Sequence, residues 1–151
     1  NANAKVNPPL RTKEDVRALI RALNDGTVDC IATDHAPHAP DEKITGFDCA
    51  NCGLIGMETA LPVLLQLVHK KQITLKRLVQ LMTMGPAKAF KLESGSLKKG
   101  RPADVVIFDP NKNVKIDPEQ FHSKSKNTPY AGMRLKGKVL TTVCNGKIVY
   151  G

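Results

Sequence analysis

Val16, Leu19, Ile20 and Leu23 recur at three- and four-residue intervals, the stripe of a helix with one buried face. Thr12-Lys13-Glu14-Asp15 opens this stretch as a capping box with Asp in the Glu position, and Asn24-Asp25-Gly26 closes it. The segment 28–33, with its apolar run Val28-Asp29-Cys30-Ile31-Ala32, then reads as a strand. A long irregular segment, 34–55, follows and carries Pro37, Pro40, Gly46 and Gly53; loops of that length in a compact domain are usually functional. Helical spacing returns over 57–70, with Leu61, Leu64, Leu65 and Val68 inward and Pro62 in the first turns. It resumes over 75–82, where Thr74 is the cap and Leu75, Leu78, Val79 and Met82 form the stripe. Gly85-Pro86 is expected to stop that helix and start a short one through Phe90.

After Leu92 the period changes. Residues 103–109 make a short buried strand and 114–116 a second candidate, while 138–144 and 147–150 flank Asn145-Gly146, a strong hairpin signal. Residues 121–132 are polar and irregular and are expected to wrap the surface. The chain therefore divides at about residue 92: helices around one strand, then a small sheet. A lone strand between helices needs neighbours for its backbone hydrogen bonds, from more chain or from another molecule.

Composition narrows the partners. A chain of 151 residues with 41% hydrophobic and 25% charged residues is that of a soluble globular protein able to bury a sizeable core. Its net charge of +9 comes from lysines spread over the surface positions of helices and hairpins, with one short cluster at Lys98-Lys99-Gly100-Arg101. Aromatics are 4% with no Trp, so platforms for stacking nucleic-acid bases are not expected and the charge reads as a solvated face. No apolar run approaches the ~20 residues of a membrane helix, and Asn1-Ala2-Asn3-Ala4-Lys5 has no signal or transit character, so a cytoplasmic protein without a membrane partner is expected. Cys49 and Cys52 have the spacing of a zinc knuckle or a redox pair, but Cys30 and Cys144 supply no second pair for zinc, and the plainer reading is two reduced thiols in a loop.

The chemistry concentrates at Thr33-Asp34-His35-Ala36-Pro37-His38, directly after the 28–33 run. A strand that delivers an aspartate and two histidines at its C-terminal end is how barrel hydrolases present metal ligands and bases. The four histidines, at 35, 38, 69 and 122, include no His-x-His pair, so one half of a catalytic site is present and its metal-binding half is missing. Each residue also has a plainer reading. Asp34 could be a turn former, His38 a loop histidine, and Asn7 the start of a turn before Pro8-Pro9. His35 could orient Asp34 or its loop, or carry no role.

Together with Lys5-Val6-Asn7-Pro8-Pro9-Leu10-Arg11 before the first helix and Gly53-Leu54-Ile55-Gly56-Met57-Glu58-Thr59-Ala60-Leu61-Pro62 entering the next, this motif resembles the dihydroorotases of the amidohydrolase superfamily, in their bacterial long-chain class. The segment 95–109, ending in Ala103-Asp104-Val105-Val106-Ile107-Phe108-Asp109, is similar to the superfamily's return from barrel to side sandwich. The resemblance implies an α/β fold: the C-terminal part of a (β/α)8 TIM-type barrel over 1–92, then strands of a small β-sandwich over 93–151. It implies a zinc-dependent, reversible cyclisation of N-carbamoyl-L-aspartate to L-dihydroorotate in pyrimidine biosynthesis. The zinc site would be binuclear, with most ligands outside this chain. Asp34 would be metal ligand and general base. His38 would contact the carboxylate side of the substrate, Asn7 its pyrimidine ring, and Cys52 and Gly53 the ring through main-chain groups. Arg11 and Glu58 read as structural, and 39–52 as a mobile cover over the barrel mouth. The partners implied are the rest of the barrel and either a second copy of the enzyme or aspartate transcarbamoylase; the 151 residues alone are expected to be inactive. Two other readings stay open: a cyclic amidase for hydantoin or allantoin, and a non-catalytic subunit supporting aspartate transcarbamoylase.

Overall fold

Thr12 caps helix α1 (Lys13–Asp25) as its sequence dictates: its hydroxyl accepts from Asp15 N–H, Asp15 reaches back to Thr12 N–H, and Gly26 ends the helix in the left-handed region. The computed structural model describes all 151 residues, Asn1–Gly151. The apolar stripe of α1 is not buried against this chain: Val16 and Leu19 are exposed, and only Ile20 and Leu23 are partly covered.

The 28–33 run is extended but joins no sheet. Its ties are Val28 N–H to Ala22 O, Ile31 N–H to Leu81 O, and a single parallel bridge just beyond it between His35 and Leu54. The strand expected there lacks a ladder because no other strand of the chain lies beside it. Arg77 stands in for part of one, donating to Leu23 O at 2.6 Å and Val28 O at 3.1 Å.

A short helix α2 (Pro40–Lys43) lies in the long loop. Helix α3 (Ala60–His69) starts later than its spacing predicts, since 57–59 form a turn in which Thr59 Oγ1 donates to Gly56 O. Helix α4 (Leu75–Met82), capped by the Thr74 hydroxyl, leads into α5 (Met84–Ala89). The break between them falls at Thr83 rather than at Gly85-Pro86. Pro86 sits in the first turn of α5, where a missing N–H removes no helical bond.

The sheet is antiparallel in the order β1 (Val105–Lys115), β2 (Arg134–Cys144), β3 (Lys147–Tyr150). The two expected strands at 103–109 and 114–116 are one strand, irregular between Asp109 and Asn113. There Asp109 Oδ1 accepts from Asn111 and Lys112 N–H and His69 Nε2 donates to Pro110 O at 3.0 Å. Asn145 and Gly146 turn the hairpin with φ of 48° and 77°, the pair of positive values a two-residue turn of this twist needs.

The core is small. Leu65, Ile73, Leu78 and Leu81 cluster where α3 and α4 meet, with Phe108 of β1 packed against them. Helix α3 lies close on β2 because position 137 is glycine, where a Cβ would stand 2.3 Å from Leu65 Cδ1. Only 17 of 151 residues are buried, so the sizeable core expected from length is not formed within this chain.

Candidate functional site

Asp34 follows the extended run with φ of 46°, a left-handed conformation that costs a non-glycine residue of order 1 kcal/mol. Its carboxylate is exposed. The chain pins the backbone around it. Ala36 N–H donates to Leu54 O at 2.9 Å, and His35 Nδ1 accepts from the N–H groups of Gly56 and Met57 at 3.2 and 3.3 Å. Neutral His35 therefore carries its proton on Nε2, and its ring ties the loop to the residues that lead into α3.

His38, Cys52 and Gly53 come together. His38 Nε2 donates to Cys52 O at 3.0 Å, and Nδ1 lies 3.4 Å from Glu42 Oε2. Gly53 has φ of 133°, and a Cβ there would stand 2.7 Å from Ala36 Cβ and 3.0 Å from His38 Nε2, so only glycine fits. Gly53 N–H donates to Lys5 O at 2.9 Å, which brings the segment just upstream of Asn7 against the loop; Asn7 itself is exposed. Glu42 accepts from Ala39 N–H at 2.8 Å and from Asn51 Nδ2 at 2.9 Å. The bond from Ala39 holds its carboxyl below the ordinary value of 4.5, with His38 and Asn51 adding to the shift.

Three residues that no periodicity marks complete the arrangement. Lys43, 7% exposed, donates from Nζ to Asn51 O at 2.6 Å and Gly53 O at 3.0 Å. Burial holds its ammonium below the usual 10.5; nearby Cys52 opposes this and Lys5 adds to it. Asn127, also buried, donates from Nδ2 to Ala36 O and Gly53 O at 3.0 and 3.2 Å and accepts from His38 N–H at 3.2 Å. Ser125 Oγ accepts from the same N–H and donates to His38 O. The 121–132 segment, expected to wrap the surface, is thus docked into the 34–55 loop: buried polar groups need partners, and the carbonyls of the loop supply them.

Cys49 and Cys52 are free and exposed. Arg11 pairs with Asp15 at 3.3 Å, a helix-surface contact, and Glu58 accepts from Ser123 N–H at 3.0 Å. No three His, Cys, Asp or Glu side chains converge to hold a metal ion. A zinc centre does not fit the donors of these 151 residues by themselves: Asp34 offers one carboxylate, while His35 Nδ1 is taken by the N–H groups of Gly56 and Met57 and His38 Nε2 by Cys52 O, and no three donors converge.

A match to the Amidohydrolase family spans residues 3–149. The chain belongs to the amidohydrolase family. Curated relatives of this amidohydrolase chain include the dihydroorotases of Desulforapulum autotrophicum (49% identical over 150 residues) and Brevibacillus brevis (51% over 151), each covering 99% of the chain. The chain spans about 35% of the length of either relative. Among solved structures it is similar to an L-hydantoinase (dihydropyrimidinase) from Arthrobacter aurescens, with a TM-score of 0.92 and 35% identity over 99% of the chain and 35% of that protein. It is also similar to a dihydropyrimidinase from Brevibacillus agri, with a TM-score of 0.88, 28% identity and 99% and 34% coverage. The fold is thus part of an amidohydrolase barrel followed by strands of a small sheet.

Proposed function

We propose that this chain supplies the general base and part of the substrate cradle of a dihydroorotase, an enzyme that interconverts N-carbamoyl-L-aspartate and L-dihydroorotate. The observation that carries the choice of substrate is the match, at 49–51% identity over 99% of the chain, to proteins named dihydroorotase. The geometry supports the roles. Asp34 presents an exposed carboxylate on a pinned turn, and the 51–53 backbone is gripped so that the Cys52 N–H is its one amide without an acceptor.

In hydrolysis a water oxygen bonds to the ring carbonyl carbon and the ring C–N bond breaks. Asp34 takes the proton from that water and delivers it to the departing nitrogen. In cyclisation it takes a proton from the carbamoyl nitrogen as that nitrogen attacks the carbon of the protonated side-chain carboxyl group, whose hydroxyl oxygen is the leaving group. It then returns the proton to the oxygen that leaves as water. Asn7 can offer an amide donor and acceptor to the ring, and His38 borders the same loop. Zinc belongs to this reading as a group of the complete enzyme to which Asp34 adds one ligand. We place the protein in pyrimidine biosynthesis in the cytoplasm on the same ground.

Asp34→Asn in the full-length enzyme should lose about 10³-fold in kcat, the scale of a positioned general base, with KM little changed. Turnover near wild type would remove Asp34 from the chemistry. The likeness to hydantoinase structures, at a TM-score of 0.92, favours a second reading in which hydantoin is the substrate. Side-by-side assays with dihydroorotate and hydantoin decide between them: a higher kcat/KM for hydantoin would overturn the first.

A further inference from the structure

We propose that Lys43 is a positioning residue that both fixes and strengthens the Cys52 N–H as a hydrogen-bond donor to a carbonyl oxygen of the cyclic substrate, with Asn127 holding the neighbouring peptide in register. The proposal deepens the reading above, resting on the substrate lying against Cys52 and Gly53. Its basis is a full account of the main-chain groups of 51–53. Asn51 O accepts from Lys43, Cys52 O from His38, and Gly53 O from both Lys43 and Asn127. Asn51 N–H donates to Glu42 O and Gly53 N–H to Lys5 O. The Cys52 N–H remains, and it belongs to the same peptide unit as Asn51 O, the oxygen that takes the Lys43 ammonium at 2.6 Å.

A cation on the oxygen of an amide draws electron density from its nitrogen and makes the opposite N–H a stronger donor, as in any polarised hydrogen-bond chain. The arrangement is also costly as mere structure. A buried ammonium is unfavourable without a counter-charge, and Lys43 meets two carbonyls and no carboxylate. What the lysine adds is charge on the carbonyls of Asn51, at 2.6 Å, and Gly53, at 3.0 Å, the first of which shares its peptide with the Cys52 N–H. Asn127 serves the geometry: one amide joins Ala36 O, Gly53 O and His38 N–H, locking the loop beyond Asp34 to the 51–53 segment.

The test uses the full-length enzyme and its kinetics with dihydroorotate. Lys43→Met, which keeps the stem and removes the charge, should raise KM roughly tenfold while kcat stays within about threefold. Lys43→Gln, with a neutral donor, should recover part of that loss. Asn127→Asp, which sets a carboxylate against two carbonyls, should raise KM by a similar factor, and it carries the test if Lys43→Met does not fold. An unchanged KM in both Lys43→Gln and Asn127→Asp, or a loss confined to kcat, would overturn the proposal. If wild type turns over hydantoin but not dihydroorotate, the substrate assignment fails while the same KM comparison on hydantoin decides the role of Lys43. If it turns over neither, both fall.

Discussion

At the residue scale the loop after Asp34 is held by side chains acting on backbone oxygens, and the charges among them set its response to pH. Glu42 is the acidic member. Its carboxylate receives Ala39 N–H and Asn51 Nδ2 and faces His38, so ionisation is favoured in the folded chain and its pKa lies below 4.5. A carboxyl depressed on folding contributes stability above its unfolded pKa and loses it as pH falls through the folded value. The tie between Glu42 and the loop should therefore persist through neutral pH and fail only on acidification below 4.5. An NMR titration of the Glu42 carboxyl carbon in the full-length protein should give a midpoint below that value, and Glu42→Gln should remove it. A midpoint at or above 4.5 would mean that the contact with Ala39 is not formed in solution.

At the scale of elements, the approach of α3 to β2 turns on one position. An alanine at 137 would place its Cβ 2.3 Å from Leu65 Cδ1 and 3.4 Å from Pro62 Cα, with a φ of 120° that side chains rarely adopt. Gly132→Ala is the matched control: its φ is 78° with no atom within 4 Å of the added carbon, so it reports backbone strain alone. Denaturant unfolding should show Gly132→Ala destabilising by about 1 kcal/mol and Gly137→Ala by a further 1–3 kcal/mol or so from overpacking. Equal effects would mean that α3 can shift away without loss. The elements also show what sequence can reveal. The α1 capping box, the Thr74 cap and the Asn145-Gly146 hairpin were legible because their hydrogen bonds close within a few residues. The motif around Asp34 and His38 was legible by type and order, but Lys43 and Asn127 were not. Asn127 meets His38 across 89 positions, and nothing local distinguishes it from other polar residues before a proline. The 28–33 run declared its extended conformation by composition, yet a ladder depends on strands elsewhere, so the same signal left its pairing open and its residues half-buried or exposed.

For the whole molecule, the quantity that matters is surface. A folded monomer of this mass exposes roughly 7500 Å² by the usual scaling, whereas this chain exposes 10551 Å². The excess, about 3000 Å², is on the scale of obligate interfaces, and it is apolar in part. Leu19 is 60% exposed and Phe90 70%. A cleft of about 1090 Å³ opens between α4, α5 and the sheet, lined by Leu61, Val79, Met84, Leu97, Phe108 and Val139 among others. Patches beyond a few hundred Å² rarely stand free in water, and these residues match about 35% of the length of dihydroorotase relatives. Produced alone, the 151 residues should bind a hydrophobic dye strongly, sediment as concentration-dependent oligomers and give no dihydroorotate turnover, whereas the full-length protein should do none of the first two and catalyse the third. The expected loss of turnover rests on the same geometry: the extended run that leads to Asp34 has no strand beside it, so its unpaired backbone groups call for neighbours beyond these 151 residues. A monodisperse, dye-silent, active fragment would show that the scaffold of the site is complete within it.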